Sequence, residues 1–201
     1  MNKKGNVPIN LSSLAGNRPG DSPDASPPAP PRGMTPRPGQ TVCGDIDMRI
    51  DRSGVWFHHG SPIGRKELVR LFASVLRRDE DGDYWLITPA EMARIEVEDA
   101  PFLAVELSVS GDGAAQVMAL RTNVDAVVTI DEDHPIRVDS DPDTGAPTPY
   151  VVLDGGVEAK IARAVYYELV ALGVEQNHGA GLLGVWSSGV FFPLGRLDAK
   201  A

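Results

Sequence analysis

The strongest constraint on this chain is that it repeats itself in order. "MRID" at Met48 to Asp51 returns as "IRVD" at Ile136 to Asp139, and "VWFHH" at Val55 to His59 returns as "YVVLD" at Tyr150 to Asp154. With Trp56 laid on Tyr150, the apolar positions Leu68, Leu71, Phe72, Val75 and Leu76 fall on Ala162, Val165, Tyr166, Leu169 and Val170. The trailing segments "YWLIT" and "ARIEVE" match "GVWSS" and, more loosely, "GVFFPLG". Self-similarity kept in order, with insertions confined to loops, is the mark of a duplicated supersecondary unit. The unit reads as ββαββ, so the expected class is α+β with mainly antiparallel sheets.

Local signals fill in that unit. "DMRID" and "GVWFHH" alternate like short strands around the turn at Arg52-Ser53-Gly54. A helix follows, with Ser61 as N-cap and Pro62 at its first position, and its apolar stripe recurs at helical spacing. The second copy's helix is expected over Val157 to Leu172. Between the copies, Leu103, Val105, Leu107 and Val109 alternate with polar or small residues. That pattern, followed by "QVMALRT" and "AVVTID", predicts a three-stranded meander. The expected organisation is a tail over 1–42, a first unit over 43–99 and a second over 100–201. The tail is rich in Pro, Gly and Ser and poor in groups to bury, so it reads as unstructured.

A net charge of -9 argues against a nucleic-acid polymer or an anionic membrane as partner, because both need a basic face. No run is long enough to span a bilayer, and the amino terminus lacks an apolar leader, so the cytoplasm is expected. The single cysteine, Cys43, reads as an ordinary reduced thiol. No phosphate loop, dinucleotide fingerprint, nucleophile elbow or metal-ligand spacing is present, so neither cofactor nor metal is expected and catalysis is disfavoured. His58 and His59 are adjacent on a strand and should face opposite ways. "DSDPDTG" lacks the glycine and glutamate of a calcium loop and reads as a solvated acidic turn. "RDEDGD" and "DEDH" read the same way.

Three features stand out as candidate binding residues. Ser61, Arg65 and Lys66 gather at a helix start, where free N–H groups and the dipole already favour an anion. Asp99, at the junction "EVEDAPF", could orient a polar ligand group or simply pair with Arg65 or Arg163. Phe102 and Trp186 supply apolar surface suited to a ring, and Arg163 is a further cation. In the alignment above, Gly64 and Arg65 fall on Glu158 and Ala159, so the double cation belongs to one copy alone.

At "GSPIGRKELVRLF", "LITPAE", "VEDAPF", "RAVYYELV" and "GVWSSGVFFPLG" the chain resembles a bacterial family known as domain of unknown function twelve-eighty-five. The resemblance covers nearly everything after the tail. It implies a duplicated core whose second domain is superficially similar to pleckstrin-homology-like folds. It also implies a nucleotide-like ligand between the domains and a part in signal transduction. The expected function is therefore ligand binding, with Arg65 and Lys66 on a phosphate or carboxylate. A protein-interaction module is the alternative, and a phosphoester hydrolase ranks below both.

Overall fold

The computed structural model describes residues 10–14, 28–176 and 181–196. The chain divides into two compact units, residues 1–98 and 99–201. The first unit contains β1 (Thr41–Ile50), β2 (Trp56–His58), β3 (Ser61–Pro62), α1 (Lys66–Ser74), β4 (Leu76–Arg78), β5 (Tyr84–Ile87) and β6 (Glu91–Val97). These strands form one sheet in the order β3-β2-β1-β6-β5-β4. Two antiparallel meanders meet in its centre, where β1 and β6 pair in parallel from Thr41–Glu91 to Ile50–Val97. Met48, Ile50, Trp56, Phe72, Leu76 and Leu86 are buried together as the core, with Trp56 stacked on Phe72 at 6.1 Å.

The second unit opens with the meander β7 (Phe102–Ser110), β8 (Val117–Thr122) and β9 (Val127–Thr129). It continues with β10 (Ile136–Ser140), β11 (Pro147–Val152), β12 (Glu158–Ile161), α2 (Arg163–Ala171), β13 (Val174–Gln176), β14 (Leu182–Ser187) and β15 (Val190–Arg196). The six strands before α2 form one sheet in the order β10-β11-β12-β7-β8-β9, and the three after it form another, β13-β14-β15. Val165, Tyr166 and Leu169 are the buried face of α2, each contributing roughly 1.5–3 kcal/mol of apolar burial.

Duplication is evident, but the repeating unit is βββαβββ rather than ββαββ: β10 to β15 with α2 repeat β1 to β6 with α1 in the same order. Its register is fixed by a cation–π pair present in both copies. Arg49 lies across from Phe57 with its guanidinium 4.4 Å from the ring, and Arg137 lies across from Tyr150 at 4.2 Å. The alignment of "MRID" with "IRVD" is therefore correct, whereas Tyr150 corresponds to Phe57 rather than Trp56.

The helices shift further. Arg65 is the N-cap of α1 and Ala162 that of α2, and neither helix start has a side-chain cap. Ser61 and Pro62, expected as cap and first helical residue, instead form β3 against His58 and Phe57. Val157 to Ile161, expected as helix, lies on β12 or just before it, because pairing with β11 and β7 outweighs the local spacing. Leu76 likewise leaves the helical stripe for β4, and Leu71 stays exposed. Glu158 and Ala159 are thus strand residues, and the counterparts of Arg65 and Lys66 are Ala162 and Arg163, which still leaves the double cation to one copy. Each helix begins on a cation, Lys66 or Arg163.

Part of the expected tail is also ordered. Leu11 is fully buried, Pro31 is buried, and Arg32 pairs with Glu80 and Asp81 of the acidic turn after β4. That turn is therefore a structural element. Its Asp79 accepts from Asp81 N, Asp83 N and the Trp85 indole, while Asp83 and Asp45 both bind Arg94. Residues 1–9 and 15–27 of the expected tail lie outside the described residues.

Candidate functional site

The seven expected ligand-binding residues divide between the units. In the first, Ser61 sits on β3 and Arg65 and Lys66 open α1; all three are exposed. Among the described residues neither Arg65 nor Lys66 makes an ion pair. In the second, Asp99 is held by a polar network rather than by Arg65 or Arg163. Its Oδ1 accepts from the Tyr150 hydroxyl at 2.8 Å and its Oδ2 from Lys160 Nζ at 2.6 Å. Phe102 is core, paired with Ala159. Arg163 donates to the Tyr167 hydroxyl at 2.9 Å and lies near that ring. Trp186 is half-buried, edge-on to Phe191 at 5.5 Å, and its carbonyl accepts from Gln116 Nε2 at 2.9 Å.

The network around Asp99 is built by cross-strand register. Arg137, Tyr150 and Lys160 are direct neighbours on β10, β11 and β12, so they share one face. Arg137 grips Glu158 with two nitrogens and Asp139 with a third, while lying over the Tyr150 ring. The guanidinium is held charged by its bonds to Glu158 and Asp139. Burial, reinforced by the bond to Asp99, pushes the Tyr150 phenol well above its ordinary value. Three carboxylates face two cations here, so both cations are already taken and a negative charge is left over, which suits a structural role better than capture of an anion.

Sequence reasoning did not reach a cavity in the second unit. In the first unit β1 and β6 are hydrogen-bonded neighbours, but their counterparts β10 and β15 lie side by side without a ladder, each at the edge of its sheet. Pairings of buried residues, Leu86 with Ala93 and Val185 with Phe192, align β5 and β6 with β14 and β15. Trp85–Arg94 then corresponds to Gly184–Pro193. Pro193 has no N–H to give a ladder. Gly184 accommodates Phe191, since a Cβ there would fall 2.4 Å from its ring. The Tyr166 hydroxyl, rising from α2, donates to the Leu194 carbonyl at 2.9 Å and so occupies a β15 acceptor. Between the strands is a cavity of about 840 Å³. It is walled by Val138, Val170, Leu182, Leu183 and Leu194, with the exposed Arg196 among its lining residues. A space of that size and character suits a small organic ligand.

Other candidates resolve into structure. His59 leaves the strand with φ 48°, so its ring meets that of His58 at 4.1 Å instead of facing away. His59 Nδ1 then binds Asp47 at 2.9 Å. Asp141 organises the "DSDPDTG" loop by accepting from Asp143 N, Thr144 N and the Thr144 hydroxyl. Burial pushes the Cys43 thiol up. Among the described residues no group of three or more His, Cys, Asp or Glu could hold a metal ion. Among them, too, no helix is long and apolar enough to cross a membrane.

A duplicated α+β architecture with an opened second copy defines the class of protein to which this chain belongs. The chain is a member of the DUF1285 family. Residues 37–100 match the model described as "Domain of unknown function (DUF1285), N-terminal domain", and residues 101–194 match "Protein of unknown function (DUF1285), C-terminal domain". It is similar to the crystal structure of a DUF1285 family protein from Silicibacter pomeroyi DSS-3, with 44% identity and a TM-score of 0.73 over 84% of this chain and 92% of that one. It is also similar to a DUF1285 family protein from Shewanella baltica OS155, with 28% identity and a TM-score of 0.51 over 62% of this chain and 91% of that one. No curated protein matches.

Proposed function

We propose that this protein is a cytoplasmic binding module for a small ligand with an apolar or aromatic body and an anionic group, of the nucleotide-like class, and that its occupancy serves signal transduction. The observation that carries this reading is the cavity between β10 and β15, where apolar walls converge with Arg196 at a place that the first copy fills with a strand ladder. Apolar walls contribute affinity and a few polar groups fix orientation.

Thermal shift and equilibrium dialysis against nucleoside mono-, di- and triphosphates and dinucleotides test it. Val138→Trp fills the cavity and should weaken any hit at least about tenfold, Arg196→Ala should weaken it less, and Arg65→Ala should leave it unchanged. If Arg65→Ala abolishes binding and Val138→Trp does not, the ligand sits at the α1 start and the cavity is irrelevant. A second reading, a protein-interaction module, is favoured by both walls being strand edges, which can accept an added strand. It predicts that no nucleotide binds and that a partner protein is lost with Val138→Trp.

A further inference from the structure

We propose that the first unit carries a peptide-docking site for a turn in which leucine is followed by serine, and that residues 10–14 of the chain occupy it in cis. The segment "NLSSL" lies outside the family-matched residues, which begin at 37, while the groups that receive it lie inside them. Leu11 is fully buried, and the turn that follows it, Ser12–Leu14, packs beside β1. The Glu91 carboxylate accepts from Leu11 N with one oxygen, and from Ser12 N and the Ser12 hydroxyl with the other. A carboxylate taking two successive backbone N–H groups and a hydroxyl reads backbone direction and one side chain together, and such charge-assisted bonds are the strong ones.

The receiving groups are fixed in advance by the family fold. Glu91 is almost fully buried at the start of β6, and Thr88 brackets it: the Thr88 hydroxyl accepts from Glu91 N at 2.9 Å and donates to the Glu91 carbonyl at 3.1 Å. His58 Nε2 lies 3.3 Å from the Leu14 carbonyl and can donate to it, securing the far end of the turn. The occupant is shaped to match. Asn10 Oδ1 accepts from Ser13 N, and Leu14 N returns to the Leu11 carbonyl, so the turn presents Leu11 on one side and its leading N–H groups toward Glu91. A buried carboxylate on a backbone fixed by Thr88, a position that buries a leucine and a donor at the far end form a recognition site that a separate peptide of the same pattern can fill. The cavity between β10 and β15 has no part in it.

Two measurements on the full chain test this. By native-state hydrogen exchange, the amides of Leu11 and Ser12 should open by a local route, exchanging faster than the β1 and β6 amides. In the second, a fluorescein-labelled peptide of residues 6–18 is titrated onto the wild type, onto Leu11→Asp and onto Leu11→Asp/Glu91→Gln. The trans peptide should bind Leu11→Asp at least about tenfold more tightly than the wild type, whose site is mostly occupied. Glu91→Gln should cancel that gain. If Leu11 and Ser12 exchange only with the β6 amides, if Leu11→Asp unfolds the unit, or if the peptide binds all three alike, residues 10–14 are ordinary core and there is no docking site.

Discussion

The alkaline limb of stability should report Tyr150. Its phenol is raised from the ordinary value of 10.0, first by burial and then by the hydrogen bond to Asp99, with Arg137 pulling the other way. A raised value means that the folded chain keeps a proton which the unfolded chain has lost. The associated stability is therefore fully present below about pH 10 and is lost as the pH rises toward the folded value. One retained proton corresponds to about 1.4 kcal/mol per pH unit, or about 2 kcal/mol between pH 10 and 11.5. Removing the hydroxyl has a cost of its own at neutral pH. Tyr150→Phe takes one donor from Asp99 but leaves Lys160 in place, so the expected loss there is about 1–2 kcal/mol. Urea denaturation midpoints from pH 8 to 11.5 should thus show the variant less stable at first and equal to or above the wild type by pH 11.5. Tyr166, also raised by burial, is present in both proteins and cancels in the difference. A constant offset across the whole range would refute the reasoning, because the Tyr150 phenol would then titrate alike folded and unfolded.

Two further outcomes follow from the hydrogen bonds. Ser187, fully buried, donates to the Ile130 carbonyl at 2.6 Å and accepts from Met118 N at 2.9 Å. Ser187→Ala should cost about 1–2 kcal/mol in urea, since it orphans the buried Met118 N–H while the Ile130 carbonyl keeps the Ser188 hydroxyl at 3.1 Å. Arg137→Met strips Glu158, whose side chain is only 12% exposed, of its two-pronged partner and should cost about 2–3 kcal/mol once the exposure of Arg137 is discounted. By contrast, Arg94→Met breaks bonds to Asp45 and Asp83, all with side chains more than 40% exposed, and should cost under about 1 kcal/mol.

What the sequence made legible depended on where the deciding contacts lie. The meander β7 to β9 was readable because its alternation and turns are local. The duplication was readable because Arg49 and Arg137 do the same work, each stacked on the aromatic across from it, so selection on one contact left the same letters twice. The short strands β3, β4 and β12 were not readable. Two to four residues have too little pattern of their own, and their state is set by partners far away in the chain, such as β7 for β12. The helix starts were misplaced for that reason, so the residues compared with Arg65 and Lys66 were the wrong ones, although the true counterparts Ala162 and Arg163 still leave the double cation to one copy. The cavity was illegible for a different reason: it arises from a pairing that does not form. Pro193 in the place of Arg94 is a visible letter, but its meaning appears only when β15 is known to need β10 as its neighbour. Leu11 was missed because a lone leucine among polar residues has no periodicity, and the group that receives its amide, Glu91, is 80 positions away. Duplication thus supplied the comparison that makes the second copy informative. Against a first copy that closes its sheet, each change that keeps β10 and β15 apart is a departure from a working solution, and the departures converge on one space.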